Sequence, residues 1–414
     1  MATHLAGQDI AQPVLVETRA AARPRLTYLD NLRWVLITCV VLIHLSVTYG
    51  VPADWTYYEG GEVAPFVALP LLLVAAIGAN FVMGLFFLIA GYFTPAAYDR
   101  KGTRRFLIDR FKRLGIPWLC FEIFINPLIH YAVDAHGGDC KGALYDCQYH
   151  GTFWQYLKDF PRAKGSIGDG PVWFLEALLF FSIIYALWRL FSAPTPLPAL
   201  RQRDRIRVVP SNRAIASFAL IIGLISFVVR FWAKAFVQYE PFHLEYARFP
   251  QYVALFVAGI WAYRHDWLVA FSDRQARIWR WIALGCALAL PILLMVSAPA
   301  AGALDERAVG GVNELSLAFS LLEGFLSVSM VISLLTWFRR RFNHQGPLAR
   351  AMAESSFAVY VLHPAIIIPL PLALSGIKMN LSLKFLLVAP LAVALCYLSA
   401  YGLRKLPLAR TILG

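Results

Sequence analysis

Arg33 and His44 are the two residues whose types and spacing first suggest chemistry. They stand eleven residues apart at the start of an apolar stretch. On a helix, eleven steps of about 100° bring them within about 20° of one face, about 16 Å apart along the axis. Histidine is the commonest general base and could activate an acceptor hydroxyl. Arginine grips phosphate through its planar fork. A phosphate-bearing thioester donor would then place its phosphates at Arg33 and its reactive carbon near His44. Each residue also has a plainer reading. His44 fits a buried histidine bonded to a neighbouring helix. Arg33 fits an anchor reaching for the membrane surface. An ionisable group as deep in lipid as His44 is costly, and so is by default a functional candidate.

Other polar residues sit in apolar surroundings. Glu122, Glu176 and Glu323 each need a partner or a wet cavity. Glu176 lies one turn after Trp173. It could orient His44, bind a sugar hydroxyl, or pair with Arg230. His363, followed by Pro364, lies one turn after Tyr360 and could share its face, or serve as a structural hydrogen-bond partner. A basic segment holds Arg104, Arg105, Arg110 and Arg113. It stands where donor phosphates would arrive, and equally where positive charge would fix topology. Outer aromatics such as Trp55, Tyr57, Tyr58 and Trp154 could stack on sugar rings or form an interfacial belt. Cys140 and Cys147 lie in one outer loop, where a disulfide fits. With His136 and His150 they make too weak a pattern for a metal, so none is expected. The other cysteines read as small core side chains. No serine-hydrolase elbow, P-loop or dinucleotide fingerprint occurs.

These residues must be positioned by helices in lipid. Of 414 residues, 59% are hydrophobic and 15% charged. Soluble domains run to about 45–50% apolar and about 25% charged. The excess comes in blocks that meet or approach the roughly 20 residues needed to span a bilayer. They run over about 32–50, 65–93, 114–134, 171–191, 214–233, 247–263, 280–298, 315–337, 354–371 and 384–403. The second is long, so a tilt or a break near Gly78 is expected. Basic clusters follow every second block, as the positive-inside rule requires. The fold class is therefore all-α: a polytopic integral membrane protein of about ten transmembrane helices, both termini cytoplasmic. That placement also explains the net charge of +13 without nucleic acid.

Residues 1–26 read as a disordered cytoplasmic segment, 27–408 as one transmembrane domain and 409–414 as a tail. No signal peptide is visible. The largest outer loop, roughly 135–170, contains Phe153 to Phe160. That stretch reads as an interfacial helix turning Trp154, Tyr156, Leu157 and Phe160 to the membrane. The glycines from Gly165 to Pro171 read as an ordered turn or a substrate-side loop.

Five segments in order resemble acyltransferase family 3, the membrane O-acyltransferases that modify glycans and related acceptors. The first is Asp30-Asn31-Leu32-Arg33-Trp34 with His44, where Asn31 replaces the usual Gly. The others are Phe86-Phe87-Leu88-Ile89-Ala90-Gly91-Tyr92; Arg104-Arg105-Phe106 with Arg110, Arg113 and Pro117; Val172-Trp173-Phe174-Leu175; and Ser355-Ser356-Phe357 with Tyr360 and His363. Closest in kind are stand-alone members similar to glucans biosynthesis protein C. The resemblance implies His44 as the catalytic residue and Arg33 on the acyl donor. Glu176 is a second catalytic candidate. Arg104, Arg105, Trp173, Tyr360 and His363 complete the expected substrate-binding set.

The expected activity is transfer of an acetyl or succinyl group from cytoplasmic acyl-CoA to a hydroxyl of an extracytoplasmic or membrane-associated glycan. Acyl-CoA is the donor substrate, and no cofactor is implied. The partners are donor, acceptor and bilayer, in a bacterial inner membrane. A transporter or flippase of a glycan or small anion is the alternative, since buried charges suit it too. The lack of a visible repeat weighs against that reading.

Overall fold

The computed structural model describes residues 25–51, 53, 55–59, 65–136, 149–164, 170–192, 209–240, 242–297 and 306–413. Cys140, Cys147, most of the glycine turn before Pro171 and nearly all of the N-terminal segment lie outside them. The described residues are helical, with one isolated antiparallel bridge between Tyr239 and Leu244.

The main helices are α1 (Thr27–Thr48), α2 (Pro65–Arg110), α3 (Asn126–His136), α4 (Phe153–Lys164), α5 (Trp173–Phe191), α6 (Asn212–Val229) and α7 (Phe249–His265). Then come α8 (Asp273–Val296), α9 (Glu314–Arg341), α10 (Pro347–Leu362), α11 (Pro364–Ala373), α12 (Leu381–Leu403) and α13 (Pro407–Leu413). Among the described residues, seven segments are long and apolar enough to cross a membrane, or up to eight if the bent pair α10–α11 is one span. The chain is a multi-pass membrane protein.

The helices sit where the apolar blocks are, with one revision. Helix α2 runs unbroken through Gly78. The break comes at Gly102, at φ +67° and ψ 168°, a region that essentially only glycine occupies. One π-helical turn, Phe111–Gly115, joins α2 to a short helix, and another, Phe121–Ile125, carries it on into α3. The run from Pro70 to His136 spans 67 residues and contains both the second and third expected spans.

Helix α1 is the central element, packed against α2, α9, α10 and α12. Its N-terminal end is tied by Asn31, whose amide donates to the carbonyls of Phe342 (2.7 Å) and His344 (2.8 Å). Gln345 donates back to the Asn31 carbonyl oxygen at 3.0 Å. Helices α2 and α7 cross at backbone contact. A Cβ at Gly91 would overlap the Phe256 carbonyl, and one at Gly259 would overlap that of Leu88. Small residues allow this closeness, and lipid offers no hydrophobic drive to replace it.

Helix α4 differs from expectation in what it faces. Of the four residues expected to face lipid, Tyr156 and Phe160 are buried against protein, Leu157 is half-buried and Trp154 is exposed, at 70%. The Tyr156 hydroxyl donates to Asp134 at 2.6 Å, and its ring meets Tyr131 edge-on. A buried carboxylate gives the tyrosine a better partner than lipid does.

Candidate active site

The site is made by α1 and by the break between α10 and α11. Pro364 has no N–H, so it leaves the Tyr360 carbonyl, four residues earlier, without its helical partner. The chain bends there by 66°. His363, fully buried, fills the gap: its Nδ1 lies 2.7 Å from the Tyr360 oxygen. Its Nε2 lies 3.0 Å from Nδ1 of His44. The two rings are within 9° of parallel.

Hydrogen-bond chemistry fixes the protons along this chain. A carbonyl only accepts, so Nδ1 of His363 carries the hydrogen. In the neutral ring Nε2 of His363 must then accept. Nδ1 of His44 is therefore the donor, which leaves the lone pair of His44 on Nε2. That nitrogen could accept a proton, and the proton order follows from the position of one proline.

Trp55 stacks on the other side of His44, with centroids 4.7 Å apart and an angle of 21°. Its indole N–H donates to Thr48 Oγ1 at 3.0 Å. Tyr360 shares the His363 neighbourhood, but its hydroxyl donates to the Pro171 carbonyl at 2.5 Å. That bond ties α10 to the segment entering α5. There Trp173 stacks on Tyr252 (5.4 Å, 29°) and leans on Phe87. Glu176 follows in the first turn of α5, 2% exposed.

Arg33 stands on α1 three turns from His44. Its side chain is 41% exposed, and Asp30 is 4.0 Å away. Arg104 and Arg105 are exposed, just past the break at Gly102. Arg110 instead lies over the Phe106 ring at 5.0 Å and donates to Thr94 at 3.3 Å.

The structure thus joins His44, His363 and Tyr360. It leaves Arg104 and Arg105 exposed and Arg33 partly exposed. Glu323 takes Arg230, the cation considered for Glu176, as its own partner, with Arg248 at 3.9 Å. Glu122 accepts from Asn126 at 3.3 Å. Among the described residues, no group of three or more His, Cys, Asp or Glu could hold a metal.

Sequence reasoning missed Lys384 and Glu59, a buried ion pair beyond the C-terminal end of α1. A lone lysine at the head of an apolar block was the signal. It passed for a boundary because α12 begins three residues earlier than the block.

The family model for an acyltransferase domain matches residues 26–401. Neither the curated proteins nor the solved structures gave a match. The matched region takes in the histidine pair, Arg33, Arg104 and Arg105, and all the long helices but the last two residues of α12, and the chain belongs to this acyltransferase family as a multi-pass membrane enzyme.

Proposed function

We propose that the enzyme moves an acetyl or succinyl group from cytoplasmic acyl-CoA to a hydroxyl of an extracytoplasmic or membrane-associated glycan. The carrying observation is the hydrogen-bonded order Tyr360 carbonyl, His363, His44, with the His44 Nε2 lone pair at its end. The acceptor hydroxyl gives its proton to that nitrogen. Its oxygen forms a bond to the thioester carbonyl carbon, and the carbon–sulfur bond breaks. The leaving thiolate then takes the proton from His44. In between, His44 is an imidazolium, and its Nδ1–H bond to His363 becomes charge-assisted and stronger.

Arg33, Arg104 and Arg105 hold the donor phosphates. Arg33 shares the His44 face about 16 Å away, a gap that the donor's flexible arm bridges. Glu176 and Trp173 line the acceptor side. In this reading ten spans cross a bacterial inner membrane with both termini inside. They are the seven long segments, the bent α10–α11 pair, the 17-residue helix α7, and a second crossing by the 67-residue run.

The test offers acetyl-CoA and succinyl-CoA to purified protein in detergent, with wild type, His44→Ala and Arg33→Ala compared. Free CoA should appear with one donor, vanish in folded His44→Ala, and require more donor in Arg33→Ala. No consumption of either donor, even with envelope glycans added, would reject the acyl-CoA reading and favour transport.

A further inference from the structure

Helix α12 carries a lysine in its first turn, in surroundings where a charge is expensive. Asn380 caps the helix, accepting from the Ser382 and Leu383 amides at 3.0 and 3.4 Å. Lys384 follows, 2% exposed. Its ammonium pairs with Glu59 and donates to the carbonyls of Leu374 (2.7 Å) and Ile377 (3.2 Å). All three of its N–H groups are used.

The partners of Lys384 belong to the two segments that carry the histidines. Glu59 lies on the stretch leaving α1, and its amide returns to the Thr48 carbonyl at 2.9 Å. Thr48 closes α1 and holds the Trp55 indole, which covers His44. The Trp55 amide donates to the Tyr58 hydroxyl at 2.5 Å, and that hydroxyl to the Ala53 carbonyl at 2.8 Å. Leu374 and Ile377 close the bent segment that begins at His363. Farther along α12, the Tyr397 hydroxyl donates to the Trp34 carbonyl at 2.9 Å. Arg404 donates to Ser355 of α10 at 3.2 Å.

We infer that Lys384 is a positioning residue: its ammonium holds the outer ends of α1 and of the α10–α11 segment in register, and so sets the His44–His363 contact and the Trp55 cover. Helix α12 is then a brace pinned to each histidine-bearing segment at both ends. A salt bridge this buried is weak evidence for stability alone, since well-packed apolar residues often do as well. What the ammonium supplies is three directed bonds at one point, which no apolar side chain reproduces. The catalytic meaning rests on the acyl-transfer reading of His44; the geometric claim does not.

The experiment therefore reads geometry without any acyl donor. Purified wild type, Lys384→Arg and Lys384→Met are treated with diethylpyrocarbonate, and modification of each histidine is followed by peptide mass spectrometry. Exposed His344 is the internal reference. In Lys384→Met, His44 should react roughly tenfold faster relative to His344, as a locally opened site does. Lys384→Arg, which keeps charge and donors, should stay near wild type. An unchanged His44 ratio in folded Lys384→Met overturns the inference. If that variant does not fold, Glu59→Gln removes the charge at constant size. It should give an intermediate rise, and an unchanged ratio there overturns the inference equally. Where wild type consumes a thioester, Lys384→Met should lower kcat and leave the donor KM unchanged. Where wild type consumes none, the acyl-transfer reading fails, while the labelling still decides the role of Lys384.

Discussion

Replacing His363 with Phe separates a relay from a binding role. The ring is fully buried and accepts from Nδ1 of His44 at 3.0 Å. Phe keeps the shape and the stacking partner and removes only the acceptor. At rest, His44 loses the bond that fixes its tautomer. In the transition state it loses a hydrogen bond to a charged ring, worth about 1.5–3 kcal/mol. That corresponds to roughly a 10- to 150-fold fall in kcat. The donor KM should hold, because His363 is fully buried and the proposed phosphate contacts belong to the arginines. His363→Gln offers a carbonyl oxygen in place of Nε2, so it should recover part of the loss. The assay is CoA release followed with a thiol-reactive dye, with donor concentration varied. If His363→Phe leaves kcat within about twofold, or raises the donor KM in step with the loss, the relay is refuted. The latter result would return His363 to the substrate-binding role that its place in the sequence first suggested.

The other predictions concern donor, fold and connectors. Arg33→Gln should weaken wild-type use of acyl-CoA but hardly alter use of the matching acyl-pantetheine, which lacks the phosphates; an equal loss with both donors would remove Arg33 from phosphate binding. Glu323→Gln breaks the buried contact with Arg230 and should cost about 3–5 kcal/mol of stability, read as lower thermal stability in detergent with donor KM unchanged. Tyr360→Phe removes one hydrogen bond to Pro171 and should cost about 1 kcal/mol with little change in kcat; a large loss of turnover would make the hydroxyl a substrate contact. Gly91→Val forces a side chain into the Phe256 carbonyl. It should cost at least about 1–3 kcal/mol or prevent folding, judged by whether a monodisperse peak survives extraction.

Most of the architecture was legible because lipid leaves the backbone few options. Ten apolar blocks led to helices at those positions, and α5, α6 and α9 match their expected ends to within a few residues. Misjudged points were set by local tertiary chemistry. Gly78 and Gly102 look alike as letters, but only Gly102 adopts a conformation that demands glycine. The aromatics of α4 carry a membrane-facing pattern, yet Tyr156 turns to Asp134 because a buried carboxylate outcompetes lipid for a hydroxyl. In the site, Arg33 and His44 were readable because helix geometry alone puts them on one face. The pairing of His44 with His363 links residues 319 apart in sequence, and spacing cannot carry that. The local half of it was present all the same. A histidine just before a proline, one turn after Tyr360, implies an orphaned carbonyl beside a ring nitrogen.

The polar groups also divide by charge, and the division bears on the reaction. Each buried charged pair draws on a helix end: Lys384 in the first turn of α12 meets Glu59 on the segment leaving α1, and Arg230 at the C-terminus of α6 meets Glu323 within α9. The histidines are part of a neutral chain, in which each ring donates once and one carbonyl ends the series. Such a chain satisfies buried polar groups without a charge to solvate. The resting site therefore does not carry the ion that catalysis needs. In the proposed mechanism an ion arises only when His44 takes the acceptor proton, and the bond to His363 is already aimed at it. An acceptor set in place before charge develops costs no reorganisation during the reaction. The same mechanism fits an Arg33 that lies about 16 Å away along α1 and not beside the proposed base. A permanent cation next to His44 would oppose the imidazolium, whereas at three turns it can hold donor phosphates and leave the base neutral until the acceptor arrives.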